Sequence, residues 1–260
     1  MTRKMKMTSS LRLIAAAFAA VLAFSIPRAA PAQDFSTAQR GAIESIVRDY
    51  LINHPEVLQE AMAELEKRQT AAEAAKHQTA VKDHAKALFS SPRQVVLGNP
   101  KGNVTFVEFF DYNCGYCKRA MSDMLDLIKT DPNLKIVLKE FPVLGPGSVE
   151  AAQVAVAVRM QDPKKYLQFH TELLGGRGAA DKAHALAVAK DVGLDMTRLE
   201  KDMKSPEVKS TIEEDFKLAD ALGLNGTPSY VIGNDVVIGA VGLDALKEKI
   251  NNARCGKSAC

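Results

Sequence analysis

The chain has 260 residues, 47% of them hydrophobic and 25% charged, with 34 Lys or Arg against 31 Asp or Glu and four cysteines. That length exceeds what one small domain needs and allows a sizeable core. The formal net charge of +3 carries no basic excess of the kind that holds nucleic acid, so no nucleic-acid partner is expected.

In chain order, the first segment reads as a targeting signal. Arg3, Lys4, Lys6 and Arg12 form a basic start, Leu13 to Ile26 an apolar run, and Ala30-Pro31-Ala32 a small-x-small cleavage pattern. The apolar run is short of the roughly twenty residues that span a bilayer, so residues 1–32 are expected to be a signal peptide cleaved near Ala32. Removal of its five basic residues takes the net charge from +3 to −2. The expected location is the periplasm, where disulfides persist.

Residues 33–90 contain no strand-like alternation. Ile43, Ile46, Val47, Tyr50 and Leu51 share one helical face, and Val57, Leu58, Met62 and Leu65 continue a stripe on a second helix that starts at Pro55. Beyond Glu66 the sequence turns to Lys, Glu, Gln and Ala, and the Lys67-Arg68 cluster reads as a solvated helix face. Helical from Pro55 to Phe89, such a segment runs roughly 50 Å at 1.5 Å per residue. It is expected to be a stalk that carries a homo-oligomerisation element; a helical hairpin folded back on its own domain is the alternative.

From Gln94 the texture changes. Gln94 to Leu97 reads as an edge strand, and Val104 to Asp111 and Leu134 to Phe141 as strands buried on both faces. A helix beginning near Cys117 joins the last two, so a parallel pair with a right-handed crossover is predicted. A helical block, residues 148–222, follows, with stops at Asp162-Pro163, Gly175-Gly176, Gly193 and Ser205-Pro206. Ser229 to Ile232 and Val236 to Ala240 flank Gly233-Asn234-Asp235 as a hairpin, and Leu243 to Asn252 closes as a helix. The predicted division is thus 1–32, 33–90, a catalytic domain at 91–253, and a tail at 254–260.

The chemistry concentrates at Cys114-Gly115-Tyr116-Cys117, where strand gives way to helix. Free N–H groups and the helix dipole favour a thiolate at Cys114, while Cys117 lies one turn in, placed to attack a mixed disulfide on Cys114. Half a zinc site or a structural bridge has the same spacing; the strand before and helix after favour redox work. Glu108 stands in an apolar strand, where an ionised carboxylate is costly unless paired, and Lys139 on the next strand is its expected partner. The five histidines, 54, 77, 84, 170 and 184, show no ligand spacing and read as surface residues. Met121 and Met124 read as core packing rather than copper ligands. Cys255 and Cys260 in the tail are open to a small disulfide, a shuttle pair or a soft-metal pair.

Three stretches together resemble the DsbA family of thiol:disulfide oxidoreductases: Val107 through Lys118, Phe141-Pro142-Val143-Leu144-Gly145, and Gly226-Thr227-Pro228-Ser229. The resemblance implies an α/β thioredoxin fold with a helical insertion, preceded here by the helical stalk. It implies that Cys114 is the nucleophile and Cys117 the resolving cysteine, that Thr227-Pro228 forms a cis-proline loop facing them, and that Glu108 moves protons to and from the resolving thiol. Gly115 and Tyr116, with no histidine between the cysteines, and Thr227 before the proline are similar to DsbC-type isomerases. The whole chain most resembles the suppressor-of-copper-sensitivity protein C branch of the family. No cofactor is implied. The expected function is disulfide isomerase or reductase, with misoxidised or unfolded exported proteins and a membrane redox partner as its partners. A DsbA-like oxidase, a copper-binding protein using the same cysteines, and a holdase are the competing readings.

Overall fold

The computed structural model describes residues 35–260; the expected signal peptide and its cleavage site lie outside them. By contacts the chain divides into two compact units, which part between Ala63 and Glu64.

In the first unit, helix α1, Thr37–Asn53, is started by a capping box in which the Ser36 side chain and backbone bond reciprocally with Gln39. It buries none of its residues. Helix α2, Glu56–Asp83, begins after Pro55 and crosses into the second unit. It stops one residue before His84, and a short helix α3, Ala85–Ser90, follows.

The second unit is built on a five-stranded sheet. Strands β1 (Val95–Gly98), β2 (Val104–Phe110), β3 (Leu134–Glu140), β4 (Ser229–Ile232) and β5 (Asp235–Ile238) lie in the order β1-β3-β2-β4-β5. Only β2 and β3 are parallel, joined through helix α4, Gly115–Thr130, as a buried strand–helix–strand unit requires. Between β3 and β4 runs the helical block: α5 (Pro146–Gln161), α6 (Tyr166–Gly175), α7 (Lys182–Asp191), α8 (Met196–Asp202) and α9 (Pro206–Ala221). Asp181, Asp195 and Ser205 cap three of these from their side chains. The β4–β5 turn passes through Gly233 at φ +60°, and α10, Leu243–Cys255, closes the chain. This is the thioredoxin fold with a helical insertion.

The sheet separates two cores because side chains alternate along each strand. Phe106, Phe110, Ile136, Leu138, Tyr230 and Ile232 share one core with Cys117, Met124 and Leu127 of α4. Val107, Phe109, Val137 and Val231 share the other with Leu218 and Leu222 of α9 and with Val81 and Leu88. The boundary expected at residue 90 is therefore not where the contacts divide the chain. The end of α2 and all of α3 belong to the thioredoxin unit, because Val81 and Leu88 are fully buried in its second core.

Candidate active site

The loop after β2 is held by buried hydrogen bonds before the thiols begin. The Asp111 carboxylate, buried itself, accepts from Asn113 N at 2.7 Å, Ser148 Oγ at 2.7 Å and Leu144 N at 2.9 Å. Asn113 donates to Ser148 Oγ and to the Ala180 carbonyl, and accepts from Ala180 N. Asp111, Asn113 and Ser148 thus tie the thiol loop to the start of α5 and to the segment before α7. None of the three was singled out as a site residue, although Asp111 and Asn113 flank Tyr112 just ahead of Cys114.

Cys114 is the N-cap of α4: its Sγ accepts from Cys117 N at 3.4 Å. Its S–H donates to the Thr227 carbonyl at 3.1 Å, which brings together two loops 113 residues apart in sequence. The Thr227–Pro228 bond is cis, and Pro228 is buried. Cys114 and Cys117 are both free thiols; Cys114 is 5% exposed and Cys117 is 0% exposed, so both lie deeper than a surface cysteine and only the first has an opening to solvent. Burial, reinforced by Glu108, pushes the Cys117 thiol pKa well up. Gly115 is exposed and Tyr116 is 60% exposed, its ring covered by the Arg119 guanidinium at 4.3 Å. No histidine lies between the cysteines; of the two cations that follow Cys117, Lys118 donates to the Gly176 carbonyl and Arg119 covers Tyr116.

Glu108 is buried on the α4 side of the sheet, and burial, with the charge of Asp123 as a second cause, pushes its carboxyl up to about 8. The expected pairing with Lys139 does not form. In the β2–β3 register Glu108 lies beside Leu138, and Lys139 lies beside Phe109, so the two side chains point into opposite cores. Lys139, fully buried, lies 3.2 Å from Asp215 and 3.6 Å from Glu214 and donates to the Ala87 carbonyl at 3.0 Å. Asp215 is pushed up to about 7 by burial, against the pull of Lys139. Lys139 therefore anchors α3 and α9 to the sheet. Lys139→Met is expected to cost about 3 kcal/mol in urea unfolding, since one buried partner is lost, and to leave the rate of mixed-disulfide resolution unchanged. A slowed resolution would return Lys139 to the thiol site.

His170 corrects the reading of all histidines as surface residues. It is buried against Phe110 and stacked on Tyr166, with Nδ1 3.3 Å from the Tyr112 hydroxyl. Burial lowers its pKa to about 3, so it is neutral. Tyr112 also meets the Tyr166 hydroxyl at 3.3 Å, and Tyr166 donates to Glu140 at 2.7 Å. In the tail, Cys255 and Cys260 form a disulfide. Among the described residues no group of three or more His, Cys, Asp or Glu side chains is arranged to hold a metal, and no helix is long and apolar enough to cross a membrane.

A strand-to-helix dithiol, with one sulfur at a helix N-terminus and a cis-proline loop across from it, defines a thioredoxin-fold dithiol protein. Residues 105–251, more than half of the chain, match the DSBA-like thioredoxin domain, and residues 39–72 match the Copper resistance protein ScsC N-terminal domain. The chain belongs to the DSBA-like thioredoxin-domain family of thiol:disulfide oxidoreductases and carries an N-terminal region of the ScsC kind. It is 46% identical to a thioredoxin-like oxidoreductase from Silicibacter pomeroyi DSS-3, with a TM-score of 0.63 over 65% of this chain and 96% of that one. Proteus mirabilis ScsC in a transitional conformation is 27% identical, with a TM-score of 0.63 over 85% of this chain and 98% of that one. A curated relative, the Na(+)/H(+) antiporter NhaA 1 of Salinispora arenicola, is 27% identical over 166 residues; the match takes in 63% of this chain and a quarter of that protein's length.

Proposed function

We propose that the chain is an exported enzyme that exchanges protein disulfides through Cys114 and Cys117, working as an isomerase or reductase of misoxidised exported proteins. Cys114 attacks a substrate disulfide and holds one half as a mixed disulfide; a substrate thiol or Cys117 then releases it. Glu108 takes the proton of Cys117 as it becomes the attacking thiolate. Gly115, Tyr116, Thr227 and Pro228 receive the substrate chain, and a membrane redox partner returns the pair to thiols. The periplasmic location rests on the signal-like residues 1–32.

The observation that carries isomerase over oxidase is the apolar surface of the N-terminal helices. Ile43, Ile46, Val47, Tyr50, Leu58, Met62 and Leu65 are all exposed, Ile46 at 67% and Met62 at 70%. Soluble chains seldom leave so long an apolar stripe uncovered, and copies of this chain would cover it in a homo-oligomer that presents several thiol sites to one substrate.

Deletion of residues 33–63 is expected to give a folded monomer by sedimentation, one that reduces insulin at the intact rate and no longer unscrambles a misoxidised protein. Carrying the deletion to residue 90 removes Val81 and Leu88 from the core as well, at about 2 kcal/mol for each side chain. An intact protein that sediments as a monomer would sink the isomerase reading and leave the oxidase.

A further inference from the structure

The turn that presents Cys114 is held by more than its own backbone. Cys114 N donates to the Asp111 carbonyl at 3.0 Å, which closes residues 111–114 as a β-turn. The side chains of Asp111 and Asn113 fasten this turn to Ser148, Leu144 and Ala180. Tyr112, between them, is 1% exposed. Its ring meets Phe110 edge-on at 5.1 Å and Phe169 of α6 at 6.2 Å, so the middle of the turn is rooted in the core.

A tyrosine hydroxyl inside a core needs partners. That of Tyr112 has two, both on α6: the Tyr166 hydroxyl and His170 Nδ1, each at 3.3 Å. Tyr166 opens α6 and donates to Oε1 of Glu140, the last residue of β3, at 2.7 Å. Counting protons fixes the direction of this row of hydrogen bonds. The one hydroxyl proton of Tyr166 is engaged by Glu140, so Tyr112 donates to Tyr166; its own proton is then engaged, and Nδ1 of the neutral His170 donates to Tyr112. Three donors thus point one way, from His170 through Tyr112 and Tyr166 to Glu140, among residues that are all 5% exposed or less. The other end of α6 meets the thiol helix as well: Lys118, next to Cys117, donates to the carbonyl of Gly176, the C-cap of α6, at 2.9 Å.

We propose that Tyr112 is a positioning residue: through its hydroxyl, α6 of the helical insertion holds Cys114 at the N-terminus of α4 in the dithiol state, and so sets how readily the pair is oxidised. This rests on the reading of Cys114 as the attacking sulfur. The two redox states differ in what holds that sulfur. In the disulfide, the bond to Cys117 fastens Cys114 Sγ to α4 by itself. In the dithiol it is held by the turn, by Cys117 N at 3.4 Å and by the Thr227 carbonyl at 3.1 Å. A loosened turn therefore destabilises the dithiol, whose sulfur needs its place against the helix N–H groups, more than it destabilises the disulfide. By linkage, the difference between those two losses is the shift in the redox equilibrium. Removing the Tyr112 hydroxyl leaves the buried His170 N–H without its acceptor and Tyr166 without its donor, and so favours oxidation.

The test equilibrates the full-length protein with mixtures of glutathione and glutathione disulfide, which takes two electrons from the dithiol and leaves as two thiols. The state of the Cys114–Cys117 peptide is read by alkylation and mass spectrometry. Tyr112→Phe, which keeps the ring, is expected to move the equilibrium about fivefold toward the disulfide, the net worth of one buried hydrogen bond. Tyr166→Phe moves it the same way, and the double variant goes no further than the larger of the two. Urea unfolding of both redox states closes the cycle, with the greater loss of stability in the dithiol. Equal losses in the two states beside an unchanged equilibrium make Tyr112 a packing residue and overturn the proposal; if Tyr112→Phe does not fold, the same two readings on Tyr166→Phe decide it. A shift in Tyr112→Phe with none in Tyr166→Phe overturns the link to α6. In the unsubstituted protein, an aromatic disulfide reagent that attaches first to Cys117 overturns the reading of Cys114 as nucleophile and the proposal with it. Normal first attack by Cys114, beside an unchanged equilibrium in both variants, overturns the positioning role alone.

Discussion

Cys117→Ala is expected to accumulate substrate proteins in mixed disulfides with Cys114, and Cys114→Ala to lower disulfide reductase turnover on the order of a thousandfold, as loss of an essential nucleophile does. The asymmetry comes from the helix. Only Cys114 occupies the N-cap of α4, where its sulfur accepts from Cys117 N and opens to solvent, while Cys117 is fully buried behind it. Non-reducing electrophoresis followed by mass spectrometry of the trapped species reads both outcomes. Partners bound through Cys117 in the Cys114→Ala protein would reverse the order of attack written here.

How far the site could be read from sequence depends on how each residue announces itself. The dithiol was legible because a strand-like run stops and a helix-like run starts around it, and the observed bounds, Val104–Phe110 and Gly115–Thr130, fall where that change of texture does. Glu108 was legible as a single acid in an apolar strand. Its partner was not, because β2 and β3 are buried on both faces and so lack the polar alternation that would mark which core a residue enters. Residues 108 and 139 look like neighbours on adjacent strands, yet the register sets Glu108 beside Leu138 and sends the two side chains apart.

His170 did carry a signal that ligand spacing could not show. With Tyr166, Phe169 and Leu173 it forms an i, i+3, i+4, i+7 stripe on α6, the pattern of a helix face turned to a core. Arg119 stands three residues after Tyr116, one turn along the helix surface, which is the spacing that lets its guanidinium cover the ring. Val81, Leu88 and Phe89 are the large apolar residues of an otherwise polar and alanine-rich stretch, too few to mark the end of α2 and α3 as parts of a core that strands far along the chain complete.

The buried carboxyl of Glu108 also makes a prediction about stability that is independent of any substrate. Its pKa is raised from the usual glutamate value of 4.5 to about 8, first by burial and then by Asp123. The folded state therefore holds this proton more tightly than the unfolded chain does. The resulting stability is fully present below pH 4.5 and is lost as pH rises through 8. Across that window the loss amounts to about 5 kcal/mol, of which about 3 kcal/mol falls between pH 5 and pH 7. Glutamine has the same shape and no proton to lose, so Glu108→Gln should gain on the wild type by that amount as pH rises. Glu140 and Asp215, whose carboxyls are also raised by burial, act in the same direction in both proteins and cancel from the difference. Urea unfolding at a series of pH values measures it. A difference between the two proteins that stays constant from pH 5 to pH 8 would show that burial does not raise the Glu108 carboxyl and that it is ionised through this range in the folded as in the unfolded chain.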